Sequence, residues 1–187
     1  ESLFINLIEN KPGDVPKCPI TKHRKMIGQT IRQYQFLEIL GEGSLGVAYK
    51  VQDSELNRLV VIKFLPSAFI TDQLSSRGKA IAGLQHPHIA KVFGEEEIDG
   101  RRFIVVEYLP GGSLKAQITA LRTVGQKLSL ELIIHYARQV GEALAYAHRY
   151  GIVHGNLKTE NLMLAEDANI KITDFGLVKP CTTRDVD

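Results

Sequence analysis

Apolar positions fall into two regimes along the chain. In the first half they come in short runs with the two-residue alternation of half-buried strands. Tyr34 to Leu40 reads as a strand ending at Gly41. Val47–Val51 and Leu59–Leu65 read as two more, separated by a polar turn at Asp53–Asn57. Ile89–Phe93 and Phe103–Tyr108 complete the set, with a turn at Asp99–Gly100. Residues 72–84 form a short, weak helix containing Gly78 and Gly83. The pattern predicts a five-stranded antiparallel region with one short helix inserted.

After Pro110-Gly111-Gly112 the period changes. A helix is expected from Ser113, and a long one from the N-cap Ser129 to about Tyr150, closed by Gly151. Leu130, Ile133, Ile134, Ala137, Val140, Leu144 and Ala147 recur along it at three- and four-residue spacing. A loop (154–161), two tiny strands (162–164 and 170–172) and a tail follow. Residues 1–30 read as a flexible flank, punctuated by Pro12, Gly13, Pro16 and Pro19, with ordered structure starting near Ile31. The fold class is α+β, with a strand-rich lobe at 31–109 and the first part of a mainly helical lobe at 110–187.

Composition narrows the function little. The 187 residues carry 23 Lys and Arg against 21 Asp and Glu, a net charge of +2. That balance gives no bulk electrostatic case for nucleic acid or a membrane surface. The basic run Lys22, His23, Arg24, Lys25 reads as a solvated linker. Cys18 and Cys181 have no metal-type spacing, and no apolar run approaches the ~18 residues of a membrane span. A reduced, cytoplasmic setting is the simple reading.

Candidate chemistry begins at Gly41-Glu42-Gly43-Ser44-Leu45-Gly46, a G-x-G-x-x-G. Dinucleotide-binding folds use the same pattern, and alone it is most often a tight hairpin. Here it lies between two strands rather than between a strand and a helix. Glycines in such a hairpin let the backbone offer N–H groups to phosphate oxygens. Lys63 follows on the third strand, in Val60-Val61-Ile62-Lys63. A lone lysine in an apolar strand is usually an edge residue, but after that loop it becomes a candidate for gripping phosphates. His154-Gly155-Asn156-Leu157-Lys158-Thr159-Glu160-Asn161 and Asp174-Phe175-Gly176 come next.

Together these four motifs, in this order, resemble the eukaryotic-type (Hanks-type) Ser/Thr protein kinase family, from about Tyr34 to Lys179. His86-Pro87-His88-Ile89 and Glu107-Tyr108-Leu109-Pro110-Gly111-Gly112-Ser113-Leu114 match it too. The resemblance implies binding of ATP and Mg²⁺ and phosphoryl transfer to protein Ser/Thr. It implies that Gly41, Glu42, Gly43, Ser44 and Gly46 cover the phosphates and that Lys63 contacts them. Glu107 and Leu109 would face adenine through their backbones, with Val106 as gatekeeper, Ala48, Val61 and Met163 as walls and floor, and Thr173 beside the nucleotide. Asn161 and Asp174 would hold the metal through oxygen donors. Lys158 would neutralise the transferring phosphate. His154 and Phe175 are expected to be packing residues.

Four departures stand out. Asn156 occupies the place of the catalytic aspartate, and an amide is no base at neutral pH; Gly155 replaces the usual arginine. Arg77 stands where the family has the glutamate that pairs with the strand lysine, and no acid occurs from Gln73 to Gly94, so Lys63 is expected to turn to Asp174. Ala48 and Val61 exchange the family's valine and alanine, which roughly conserves pocket volume. No Ala-Pro-Glu motif follows Gly176, so the helix side that later helices cover in the family is expected to be exposed and to suit a protein partner. An impaired kinase and a nucleotide-binding or scaffolding pseudokinase are the two readings; a small-molecule phosphotransferase is a remoter third.

Overall fold

The computed structural model describes residues 26–43, 46–65, 80–98, 100–167 and 169–175. Six strands form one antiparallel sheet: β1 Thr30–Ile31, β2 Tyr34–Gly43, β3 Gly46–Asp53, β4 Arg58–Phe64, β5 Val92–Ile98 and β6 Arg101–Glu107. Their order is β1-β2-β3-β4-β6-β5. The helices α1 Leu114–Thr123 and α2 Leu130–Arg149 follow, then a 3-10 turn at Thr159–Asn161 and the hairpin β7 Leu162–Leu164 with β8 Ile170–Ile172.

Strand alternation sorts the sheet into two faces. Phe36, Tyr49, Val60, Ile62, Phe64, Phe103 and Val105 point to one side and build an aromatic-rich core. Phe36, Tyr49, Phe64 and Phe103 meet there in edge-on, tilted or stacked pairs at centroid distances of 5.3–6.4 Å. Val61, Leu65, Ile104 and Val106 point to the other side, toward the helical lobe. A second lobe core forms where Ala143 and Ala147 of α2 pack on Ile172 and Phe175, and a third joins Leu114, Tyr136, Leu164 and Ile170.

Both helix starts follow from serine caps. Ser113 Oγ accepts from the Ala116 N–H and Ser129 Oγ from the Leu132 N–H, each at 3.2 Å. Gly151, at φ +70°, ends α2 in the left-handed region that suits glycine.

The sheet corrects the sequence reading in three places. It has six strands, not five, because Thr30–Ile31 pairs with Tyr34 and Gln35. Order begins before Ile31: Met26 is 8% exposed and sits in the aromatic core. The strand expected at Ile89–Phe93 is displaced to Val92–Ile98. Ile89 and Ala90 instead join the lobes, with the Ala90 N–H donating to Ile172 O and the Ile172 N–H to His88 O, both at 2.9 Å. The flank at 1–25 and most of the helix expected at 72–84, including Arg77, lie outside the described residues; 80–82 are helical.

Helix α2 buries Tyr136, Gln139, Ala143 and Ala147. Leu130, Ile133 and Ile134 are 71%, 48% and 60% exposed, so its N-terminal half presents an uncovered apolar stripe among the described residues.

Candidate functional site

The cleft between the lobes is shaped by the face of the sheet that carries Val61. Ala48 and Lys63 are register partners on β3 and β4, and alternation puts both on that face with Val61. Val61, Val106 and Leu109 are buried in one apolar cluster, against which Ala48 and Met163 pack. The exchanged pair Ala48 and Val61 therefore share one wall. Leu109 follows β6 in the link to the helical lobe, and its backbone N–H and C=O have no backbone partner among the described residues. The Gly111 N–H donates to Leu164 O at 3.1 Å and the Leu164 N–H to Gly112 O at 2.8 Å, which docks the link onto β7.

Beyond this wall stands the charged centre. Lys63 Nζ donates to Asp174 Oδ1 at 2.5 Å, with side chains 16% and 12% exposed. Thr173 Oγ1 donates to the same oxygen at 3.2 Å. Asp174 adopts φ +67°, unusual for a residue with a Cβ and the kind of strain that gathers at functional sites. Asn161 is 7% exposed; its Nδ2 donates to Asn156 O at 2.8 Å, and its carbonyl accepts from the Thr173 N–H at 2.9 Å. These bonds leave Asn161 Oδ1 and Asp174 Oδ2 without a partner among the described residues. For a divalent hard cation the donor set fits, since both free groups are oxygens on adjoining segments.

His154 ties the two loops together. Its Nε2 bonds Thr173 O at 2.9 Å, and its Nδ1 accepts from the Asn156 N–H at 3.1 Å. That pattern requires a neutral ring protonated on Nε2. Burial pushes its pKa below the usual histidine value, against the opposing pull of the Thr173 carbonyl and Asp174. Phe175 packs on the ring at 4.8 Å between centroids.

Asn156 is half-buried, and its backbone is held on both sides while its amide makes no hydrogen bond among the described residues. Lys158 is exposed in the same loop. Gly41 and Glu42 lie exposed at the end of the β2–β3 hairpin, where Gly43 pairs with Gly46 at φ +101°. Ser44 lies outside the described residues. A cavity of about 510 Å³ runs behind Val106 to Thr173, Asp174 and Phe175.

Sequence reasoning missed one group at this site. Lys171, between Ile170 and Ile172 on β8, has its Nζ 2.5 Å from Glu107 Oε1. The only signal was a lone cation in a three-residue apolar strand.

The family profile described as protein kinase domain matches residues 34–185. The chain is similar to a serine/threonine-protein kinase of Clostridium acetobutylicum, described as probable, at 34% identity over 160 residues, covering 82% of this chain and 24% of the relative. It is 33% identical over 158 residues to the serine/threonine-protein kinase PrkC of Bacillus subtilis, covering 81% and 24% respectively. The chain thus spans about a quarter of the length of these relatives. Among solved structures, the kinase domain of PknI from Mycobacterium tuberculosis superposes with a TM-score of 0.68 at 27% identity, covering 81% of this chain and 63% of that one.

Proposed function

From the premise that this chain belongs to the protein kinase domain family, on its eukaryotic-type (Hanks-type) Ser/Thr branch, we propose that it binds Mg²⁺-ATP and transfers phosphoryl groups to protein Ser/Thr slowly or not at all. One observation carries the reading. Lys63, Asp174 and Asn161 stand together beside the apolar cluster of Val61, Val106 and Leu109, while the residue at the expected base position is Asn156.

In this reading adenine lies between Ala48, Val61 and Met163, against the backbone of Glu107 and Leu109, with Val106 behind it and Thr173 alongside. Gly41, Glu42, Gly43, Ser44 and Gly46 cover the phosphates. Lys63 gives up part of its hold on Asp174 to reach them, and Asn161 and Asp174 hold the metal. Bound Mg²⁺ supplies charge neutralisation along the phosphates. Lys158 offers positive charge to the transferring group. Asn156 can accept a hydrogen bond from a substrate hydroxyl and so orient it, but it cannot take the proton. General-base help is worth about 10²–10⁴ in rate, and that share is forfeited.

A second reading, an inactive nucleotide-binding or scaffolding module, is favoured by the same Asn156. The uncovered stripe Leu130, Ile133, Ile134 then serves a protein partner. No helix among the described residues is long and apolar enough to cross a membrane. A thermal-shift titration tests nucleotide binding: Mg²⁺-ATP should raise the midpoint, and no shift at millimolar ligand would sink the first reading and leave only the scaffold of the second. Radiolabelled transfer to a generic Ser/Thr substrate separates them, a trace signal lost in Lys63→Ala favouring the first.

A further inference from the structure

We propose that Lys171 is a positioning residue for adenine recognition, acting through the side chain of Glu107. The inference rests on the nucleotide reading above. Glu107 closes β6 where the chain enters the link, and it is clamped on three sides. Its Oε1 accepts from Lys171 Nζ at 2.5 Å and its Oε2 from the Lys91 N–H at 3.0 Å, while its own N–H donates to Lys91 O at 2.9 Å. Both carboxylate oxygens are thus committed, and the backbone that would face adenine has little freedom left.

Lys171 is well placed to set that backbone. It lies mid-strand on β8, and its register partner is Met163. Register partners share a face of a hairpin, so one lysine borders two expected elements of the adenine pocket, its floor and its hinge. Ile170 and Ile172 on either side are fully buried, which holds the strand rigid beneath it. Three residues on comes Asp174. The pair therefore spans the two lobes, 64 residues apart in sequence, and links the adenine edge to the strand that delivers the metal-site carboxylate.

An ordinary surface ion pair is worth little, because water screens it and two long side chains must be ordered. This one differs in burial and in valence of contact. The side chains are 22% and 25% exposed, and the acid has a second, backbone partner. Asp167 also feels Lys171, but weakly; its carboxyl is held below the usual range mainly by Asn169. Glu107 is the main anion for this cation. Displacing a recognition group by even about 1 Å is costly where geometry matters.

The test separates adenine from phosphate. Calorimetric titrations of the full chain use Mg²⁺-ATP and, as a probe lacking the base, Mg²⁺-tripolyphosphate. Lys171→Met should weaken ATP binding about fivefold and leave tripolyphosphate nearly unchanged, and Lys171→Arg should restore most of the loss. If Lys171→Met does not fold, Glu107→Gln, which keeps an acceptor for Lys91, carries the same comparison. Unchanged ATP affinity, or a parallel loss of both ligands with a fall in thermal midpoint, overturns the inference. Either result in the variants overturns the inference alone, whereas wild-type protein that does not bind Mg²⁺-ATP overturns the nucleotide reading with it.

Discussion

Lys63 Nζ lies 2.5 Å from Asp174 Oδ1, bridging the sheet and the loop after β8 in a cleft where both side chains are nearly buried. The pair holds the cleft in register, yet both members are also expected to meet the nucleotide. Lys63→Met leaves the Asp174 carboxylate with Thr173 as its one side-chain partner among the described residues. Stranding one charge of such a pair should cost about 2 kcal/mol, or roughly 4–8 °C in thermal midpoint for a chain of this size. The variant should also lose the upward shift on adding Mg²⁺-ATP. A variant that keeps the full shift would remove Lys63 from the site.

His154 predicts a pH dependence. Its folded pKa lies below its ordinary value of 6.5, chiefly through burial. Between the two values the unfolded chain binds more protons than the folded one, so stability rises with pH across that window. The contribution is complete above about pH 6.5 and is lost as pH falls toward the folded pKa. His86 is shifted the same way, by burial and by His88, and adds to the slope. Thermal midpoints from pH 5 to 7 should therefore rise in the wild type and rise less steeply in His154→Gln. Parallel curves would show that His154 is not held neutral.

Much of this architecture was readable from the chain, and the failures have physical causes. The hairpin 162–164 and 170–172 is legible because two short apolar runs, Leu162–Leu164 and Ile170–Ile172, flank the polar turn residues Glu166, Asp167 and Asn169. Lys63 is legible because it follows the glycine loop 41–46; without that loop a lone lysine in an apolar strand reads as an edge residue. The strand at Val92–Ile98 was misplaced because Glu95, Glu96 and Glu97 look like a loop. They are a charged edge strand, a common device against unwanted pairing, held by its ladder to β6. Ile89 reads as part of it because apolar residues crossing between lobes carry no period. Lys171 is not legible in the sequence because its partner is remote, and tertiary ion pairs leave no local trace. The expected turn of Lys63 toward Asp174 is seen, whereas Arg77 lies outside the described residues.

Two glycines should respond in opposite directions. A Cβ built on Gly111 would stand 2.6 Å from Leu164 O and 2.7 Å from Leu164 Cβ, against the backbone of β7. Gly111→Ala must push the link off the hairpin and should cost about 2 kcal/mol or more. Gly141 lies on the exposed side of α2 with nothing within 4 Å of an added Cβ. Gly141→Ala should stabilise by about 0.5–1 kcal/mol through helix propensity alone. Urea unfolding of both variants checks the pair. A neutral Gly111→Ala would mean that the link does not rest on β7 as closely as these distances require.

The Asn156 backbone is fixed by His154 Nδ1 on one side and Asn161 Nδ2 on the other, and neither bond involves the Asn156 side chain. Asn156→Asp therefore changes one functional group and should leave the loop where it is. The new carboxylate could accept a hydroxyl proton, which argues for a gain in transfer to a Ser/Thr peptide of at most about 10²–10⁴. It should not reach the roughly 1–100 s⁻¹ of ordinary protein kinases. The reason lies in Lys63. Its ammonium is already committed to Asp174, and no acid between Gln73 and Gly94 is available to hold it toward a phosphate. Single-turnover assays of wild type, Asn156→Asp and Asn156→Asp with Lys63→Ala would decide the matter. Full recovery in the single variant would show that the Lys63–Asp174 pair does not restrain catalysis. No gain at all would show that the missing base is not what limits transfer.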